Sequence, residues 1–188
     1  MDRVKRFILL LILLHYLGVG SVSYAQADKL KLSSTEIKIS YLVNFARYIH
    51  WPESAFTSAS APLVIAVAQS HPFASQLDNR VVGQTKGGRD IRFRAVSQVP
   101  PFESIQVLFI ESESRLLAAI NKEAINAPVL TVGDSNDFFE TGGVIQLEER
   151  DKNIIFFINR ERAEALGLNI HYKLLKMAKD YNARQSYD

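Results

Sequence analysis

A single α/β domain, with a mostly parallel sheet flanked by helices and an antiparallel C-terminal hairpin at the sheet edge, is what the order of patterns in this chain predicts. Three observations carry it. Unbroken apolar runs at residues 63–67, 107–110 and 129–132 have strand length and the character of strands buried on both faces. Helical patterns separate them, and alternation of strand and helix argues for parallel strands joined by crossovers. Finally, residues 144–148 and 154–158 flank a charged stretch at 149–153, the pattern of a hairpin.

The stretch at residues 38–52 carries the first helix, which stops near His50 or Trp51. Ile37, Tyr41, Phe45 and Tyr48 recur at steps of four and three, with Leu42, Ala46 and Ile49 beside them, which makes a wide apolar face. Ser34 or Thr35 is placed to cap it, and Glu36 suits its positive end. Pro52 disfavours helical geometry at Trp51 and ends it. Residues 53–61 are small and polar, a surface loop. Pro62 opens the first strand.

A short helix follows over 72–80, with Phe73 and Leu77 four apart, and 83–88 reads as a flexible turn. Residues 90–96 alternate as a second strand, with Ile91, Phe93 and Ala95 inward against Arg92 and Arg94. Pro100-Pro101 breaks the chain before the third strand at 107–110. Leu116, Leu117 and Ile120 give the helix at 113–125 its core stripe, and Pro128 begins the fourth strand. Residues 136–140 suit one helical turn, closed by Gly142-Gly143. After the hairpin, Asn159 caps 160–166, Gly167 ends that turn, and 171–183 forms a basic helix with Leu174, Leu175 and Ala178 inward.

The beginning of the chain is a targeting signal by its pattern. Arg3, Lys5 and Arg6 precede an apolar run at 7–20 and an A-x-A site at Ala25-Gln26-Ala27, which reads as a secretory signal peptide over residues 1–27. The domain then spans 28–188. Removing the signal takes three basic and one acidic side chain from totals of 22 and 20, so the mature chain is formally neutral. A neutral domain has no overall positive field to recruit nucleic acid. The chain has no cysteine, which excludes disulfide staples, thiol catalysis and cysteine-held metals. His50, His71 and His171 lie far apart without metal-ligand spacing, so neither a metal nor a cofactor is expected.

Several of these segments resemble the YfiR family of periplasmic proteins. The likeness runs through Tyr41-Leu42-Val43-Asn44-Phe45 with Trp51-Pro52, then Pro62-Leu63-Val64-Ile65-Ala66-Val67 with Pro72-Phe73, then Leu108-Phe109-Ile110. It continues through Pro128-Val129-Leu130-Thr131-Val132-Gly133-Asp134-Ser135, Phe138 and Gly142-Gly143, and ends with Phe157-Ile158-Asn159, Ala165, Gly167-Leu168 and Leu174-Leu175. The resemblance implies a non-enzymatic periplasmic repressor. Such a protein binds the periplasmic sensor domain of an inner-membrane diguanylate cyclase and lowers cyclic di-GMP signalling and biofilm formation. It also implies an outer-membrane lipoprotein partner that relieves repression, and a homodimer. Better-known members use cysteines for disulfides or redox response; their absence here disfavours redox sensing.

Two sets of candidate residues follow. In an open α/β sheet, ligands bind beyond the carboxyl ends of strands where the strand order reverses. With the first strand between the second and third, that crevice would gather Ser70 and His71, Glu111 and Ser112, and Asp134 and Ser135, as a small-molecule or peptide site. The same Ser70, Ser112 and Asp134 are equally suited to capping helices. A hydrolase triad of Ser70, His71 and Asp134 is disfavoured, because no G-x-S-x-G elbow is present and His71 directly follows Ser70. Trp51, Phe56, Phe138 and Phe139 fall at loop or short-helix positions and are the candidate anchors for a protein partner. The alternative to a repressor is a periplasmic small-molecule-binding module that signals to another membrane receptor.

Overall fold

The computed structural model describes residues 33–68, 74–97, 101–111, 127–151 and 153–179. The expected signal peptide and the helix expected over 113–125 lie outside them.

Helix α1 (Ser34–Tyr48) starts one residue earlier than the sequence suggested. Ser33 is the cap: its side chain accepts from the Glu36 N–H, and the Glu36 carboxylate accepts from the Ser33 N–H in return. That reciprocal box satisfies two donors that the first turn leaves open. The helix ends at Ile49, where the backbone becomes extended ahead of Trp51-Pro52. Strand β1 (Ile49–His50) leads to a 3-10 turn at Glu53–Ala55. The chain continues through β2 (Leu63–Ala68), α2 (Ala74–Val81), β3 (Thr85–Lys86) and β4 (Arg89–Val96). After a second 3-10 turn at Phe102–Ser104 come β5 (Val107–Ile110) and β6 (Leu130–Gly133). The hairpin of β7 (Ile145–Arg150) and β8 (Asn153–Ile158) follows, then α3 (Arg160–Ala165), β9 (Asn169–Ile170) and α4 (Tyr172–Met177).

Seven strands form one sheet in the order β3-β4-β2-β5-β6-β7-β8. β4, β2, β5, β6 and β7 run parallel, and β8 returns antiparallel to β7, as the charged hairpin tip predicted. The first long strand does lie between the second and third. Residues 83–88, read as a turn, instead make a small antiparallel pair: β3 and β4 flank Gly87 and Gly88, which both have positive φ, as a tight two-residue hairpin requires. A second sheet joins β1 to β9, with Ile49 opposite Ile170 and His50 opposite Asn169. Two-residue strands carry no periodicity, so the sequence could not announce them.

The larger core lies on one face of the sheet. There Ile39, Leu42, Phe45 and Ala46 of α1 meet Ile65, Val107, Phe109, Val132, Leu147 and Phe156, and Leu77, Ala163 and Leu174 add α2, α3 and α4. Tyr41 stacks on Phe45 at 5.7 Å, and both rings meet Phe156 edge-on at 5.2 Å. Each such side chain contributes about 1.5–3 kcal/mol on burial, and edge-on geometry suits the ring quadrupoles. The Tyr41 hydroxyl, its pKa raised by burial, donates to the Ile154 carbonyl at 3.0 Å. Val64, Ala66, Leu108, Ile110 and Phe138 form the core of the other face. On β4, Ile91 is buried and Phe93 half-buried as alternation predicts, but Ala95 is exposed.

The C-terminal helix is much shorter than the expected 171–183. It stops at Met177, Ala178 turns extended, and Lys179 pairs with Phe157 on the outer edge of β8. The Lys179 N–H donates to the Phe156 carbonyl at 2.9 Å, so satisfying an edge strand overrides helix propensity.

One buried residue fastens the amino ends of the central strands. The Gln106 carboxamide accepts from the Val64 N–H at 2.8 Å and donates to the Ala55 carbonyl at 2.6 Å. Its backbone carbonyl accepts from the Trp51 indole at 3.1 Å and from the Leu130 N–H at 2.8 Å. Gln106→Leu leaves a buried donor and a buried acceptor unsatisfied, and is expected to lower unfolding free energy by about 2–4 kcal/mol. A urea melt reads this as a lower midpoint at unchanged slope, and an unmoved midpoint would show the amide to be dispensable.

Candidate functional site

The carboxyl end of the sheet is one of two regions where functional groups gather. Glu111 and Asp134 each follow a strand by one residue, and the pairing of Ile110 with Gly133 sets them side by side. Asp134 is paired: Lys38 of α1 reaches it at 2.8 Å, both side chains being mostly buried. Ser135 is buried, and neither its Oγ nor the Oε1 of the fully buried Gln146 has a hydrogen-bond partner among the described residues. The Gln146 amide donates to the Asn136 carbonyl at 3.4 Å. Three of the crevice candidates, Ser70, His71 and Ser112, lie outside the described residues.

Phe138 anchors the turn that follows. Its ring lies between Gly133 and Gly143, where a Cβ on either glycine would run into it. At Gly143 the added carbon would also come within 2.7 Å of the Phe138 carbonyl. Phe138 is only 1% exposed, so it is a wedge in the core rather than an anchor for a partner. The other candidate anchors are also engaged. Trp51 is held by its indole bond to Gln106, and Phe139 packs against the smaller core. Phe56 lies under the Arg89 guanidinium at 3.8 Å, while that group donates to the carbonyls of Ser58 and Ala61. All three are half-buried. A loop position alone did not reveal which neighbours would cover them.

Aromatic surface appears elsewhere, around the β1–β9 pair. Tyr48, at the end of α1, is 36% exposed; Tyr172 and Met177 on α4 are 58% and 57% exposed. His171 joins the two tyrosines, its ring 5.8 Å from Tyr48 and 4.7 Å from Tyr172. The backbone fixes it there, because the His171 N–H donates to the Tyr48 carbonyl at 2.9 Å. Its Nδ1 accepts from the Lys173 N–H at 3.2 Å and so caps α4. Lys176 lies 5.6 Å from the Tyr172 ring, within cation–π range. From the β3 side, Lys86 donates to the Arg47 carbonyl at 2.5 Å, and Arg47 to the Gln84 side chain at 2.7 Å.

The charge of this face is one-sided. The three segments that build it, residues 46–52, 84–89 and 168–179, contain no aspartate or glutamate, yet carry Arg47, His50, Lys86, Arg89, His171, Lys173, Lys176 and Lys179, of which Arg89 pairs with Glu53 at its margin. Burial, then Lys86, then His171, push the pKa of His50 below the ordinary value. Burial also lowers that of Lys86. Beside the face, a cleft of about 360 Å³ separates α3 from α4, lined by Arg160, Glu164, Asn169 and Leu175. The sequence reading placed Tyr48 on the apolar stripe of α1 and Lys173 and Lys176 on a basic C-terminal helix. The signal it could have used was the lack of carboxylates in all three segments.

Among the described residues, no group of histidines and carboxylates is arranged to hold a metal, and no helix is long and apolar enough to cross a membrane. Fold and face together define a small α/β domain that offers a basic, aromatic surface at one end of its first helix. The chain belongs to the YfiR/HmsC-like family, whose model matches residues 35–179. Comparison with curated proteins returns no match.

Two outcomes test this geometry. Gly143→Ala is expected to destabilise the domain by about 1–3 kcal/mol through overpacking; a thermal melt identical to wild type would show that the Phe138 wedge yields freely. For His50, a folded pKa below the unfolded value of about 6.5 means the unfolded chain takes up its proton first. Stability is therefore lost as pH falls from 6.5 through the folded value. His50→Gln removes that loss, so its melting temperature should fall less steeply between pH 7 and pH 5 than that of wild type. Parallel profiles would show that His50 does not report the charge of this face.

Proposed function

We propose that the protein is an exported periplasmic regulator that represses an inner-membrane diguanylate cyclase by binding its periplasmic sensor domain. The observation that carries this reading is membership of the YfiR/HmsC-like family over residues 35–179. An exposed aromatic face supports it, on a domain whose candidate loop anchors are buried or half-buried among the described residues. A sensor that exchanges between active and inactive states is shifted by any protein that binds one of them better. To move it from nearly all active to nearly all inactive, the repressor must favour the inactive form by about 5.5 kcal/mol, which an interface of ordinary size supplies. An outer-membrane lipoprotein that competes for the repressor would return the sensor to its active state. Catalysis has no part in this cycle.

Deleting the gene should raise cyclic di-GMP and surface attachment, and expression of the exported protein from a plasmid should reverse both. An unchanged cyclic di-GMP level in cells that normally export the protein would overturn the reading. The second reading, a small-molecule-binding module that signals to another receptor, is favoured by the buried, unpartnered Ser135 Oγ and Gln146 Oε1 beside Asp134. It predicts a ligand that raises the melting temperature by mass action, by about 2.7 kcal/mol at 100 times its Kd.

A further inference from the structure

We propose that the face around Tyr48, His171 and Tyr172 is the docking surface for a carboxylate-rich segment of the regulated sensor domain, an inference that rests on the repressor reading and specifies its contact. Three features of the face select that occupant. Two tyrosines and a histidine form a continuous ring surface tied to the backbone of β1 and β9, so little side-chain freedom is lost when a partner covers it. Tyrosine is a favoured anchor at interfaces, because one side chain offers apolar area and a hydroxyl together. Cations rim the rings without a carboxylate in the segments that supply them. A partner bearing aspartates and glutamates would therefore meet complementary charge over the whole footprint, which speeds encounter and fixes orientation.

The same features disfavour the other occupants. A second copy docked face to face about a two-fold axis would set Lys176 and Lys86 against lysines of its mate, and like charges in apposition are destabilising. An anionic membrane would be drawn by the charge, but within the three segments of this face Met177 is the one large, fully apolar side chain that is exposed and could enter lipid. The nearest carboxylates lie at the margins of the face, Glu53 paired with Arg89 at 3.2 Å and Glu164 in the adjoining cleft, while Glu148 pairs with Arg150 on the hairpin and Glu149 accepts from Ser34 at 2.8 Å.

The test uses the full-length exported chain in a strain lacking the native gene. A photo-cross-linking residue replaces Met177 in one version and the exposed Arg94, on β4 at the far side of the sheet, in another. The expected result is a cross-link from position 177, mapped by mass spectrometry to a peptide of the cyclase sensor domain rich in aspartate and glutamate, and none from position 94. Tyr172→Ala with Lys176→Glu should cut that cross-link and the repression of cyclic di-GMP at least tenfold, while Lys176→Arg keeps both; purified variants should melt as wild type does. If the double variant represses as well as wild type, the face is not the contact and the inference falls while the repressor reading stands. If wild type fails to lower cyclic di-GMP, the repressor reading falls; a carboxylate-rich peptide of another membrane receptor cross-linked at 177 would then support the face alone, and no cross-link would overturn it. Co-sedimentation with phosphatidylglycerol vesicles that is lost in the double variant would reassign the face to lipid and overturn the inference.

Discussion

Gln106, through its carboxamide and its backbone, is the contact that organises the amino ends of the central strands. A cysteine-free chain has no covalent staple, so the amino ends of β2, β5 and β6 and the segment from Trp51 to Ala55 must be held by packing and hydrogen bonds alone. Gln106 joins all of them, with its side chain and its backbone both engaged. Since the amide is fully enclosed, each of these bonds is worth more as a constraint than as net energy: losing one leaves a desolvated group without a partner. Trp51 is positioned by the same residue, and Trp51-Pro52 ends α1. The path of the chain as it leaves α1 is thus tied, through the Trp51 indole, to the backbone carbonyl of one buried residue.

Much of the fold was legible because burial on both faces leaves a plain record. The strands at 63–67, 107–110 and 129–132 are continuous apolar runs, and they are the central strands of the sheet. Their parallel direction followed from the alternation of elements, and the hairpin from its charged tip; the order β4-β2-β5 was supposed rather than derived, and is the order found. What was not legible depended on contacts distant in sequence. β1 and β9 are two residues each and exist because His50 finds Asn169. Lys179 was assigned to a helix because its neighbours have helical spacing, yet a vacant edge on β8 holds it extended.

The candidate site was legible to the extent that it rests on strand ends. Glu111 and Asp134 do emerge together, since parallel register places the residues after neighbouring strands side by side. That Asp134 would face Lys38, 96 positions earlier, was not readable from local pattern. The aromatics were misjudged for a related reason. Phe138 follows Gly133 and precedes Gly143, and two glycines around a phenylalanine signal a buried ring with backbone pressed against it. Tyr48, by contrast, falls on the apolar stripe of α1 but at its last turn, where the stripe runs past the sheet.

The pairing of β1 with β9 has a consequence in time. Residues near 50 pair with residues near 170, and Lys179 covers the outer edge of β8 near the end of the described chain. Contacts between such distant residues make folding slow relative to local structure. For a chain delivered amino end first, by a ribosome or through a channel, the domain cannot close until almost all of it has emerged. Late closure keeps such a polypeptide threadable until its last segment has emerged.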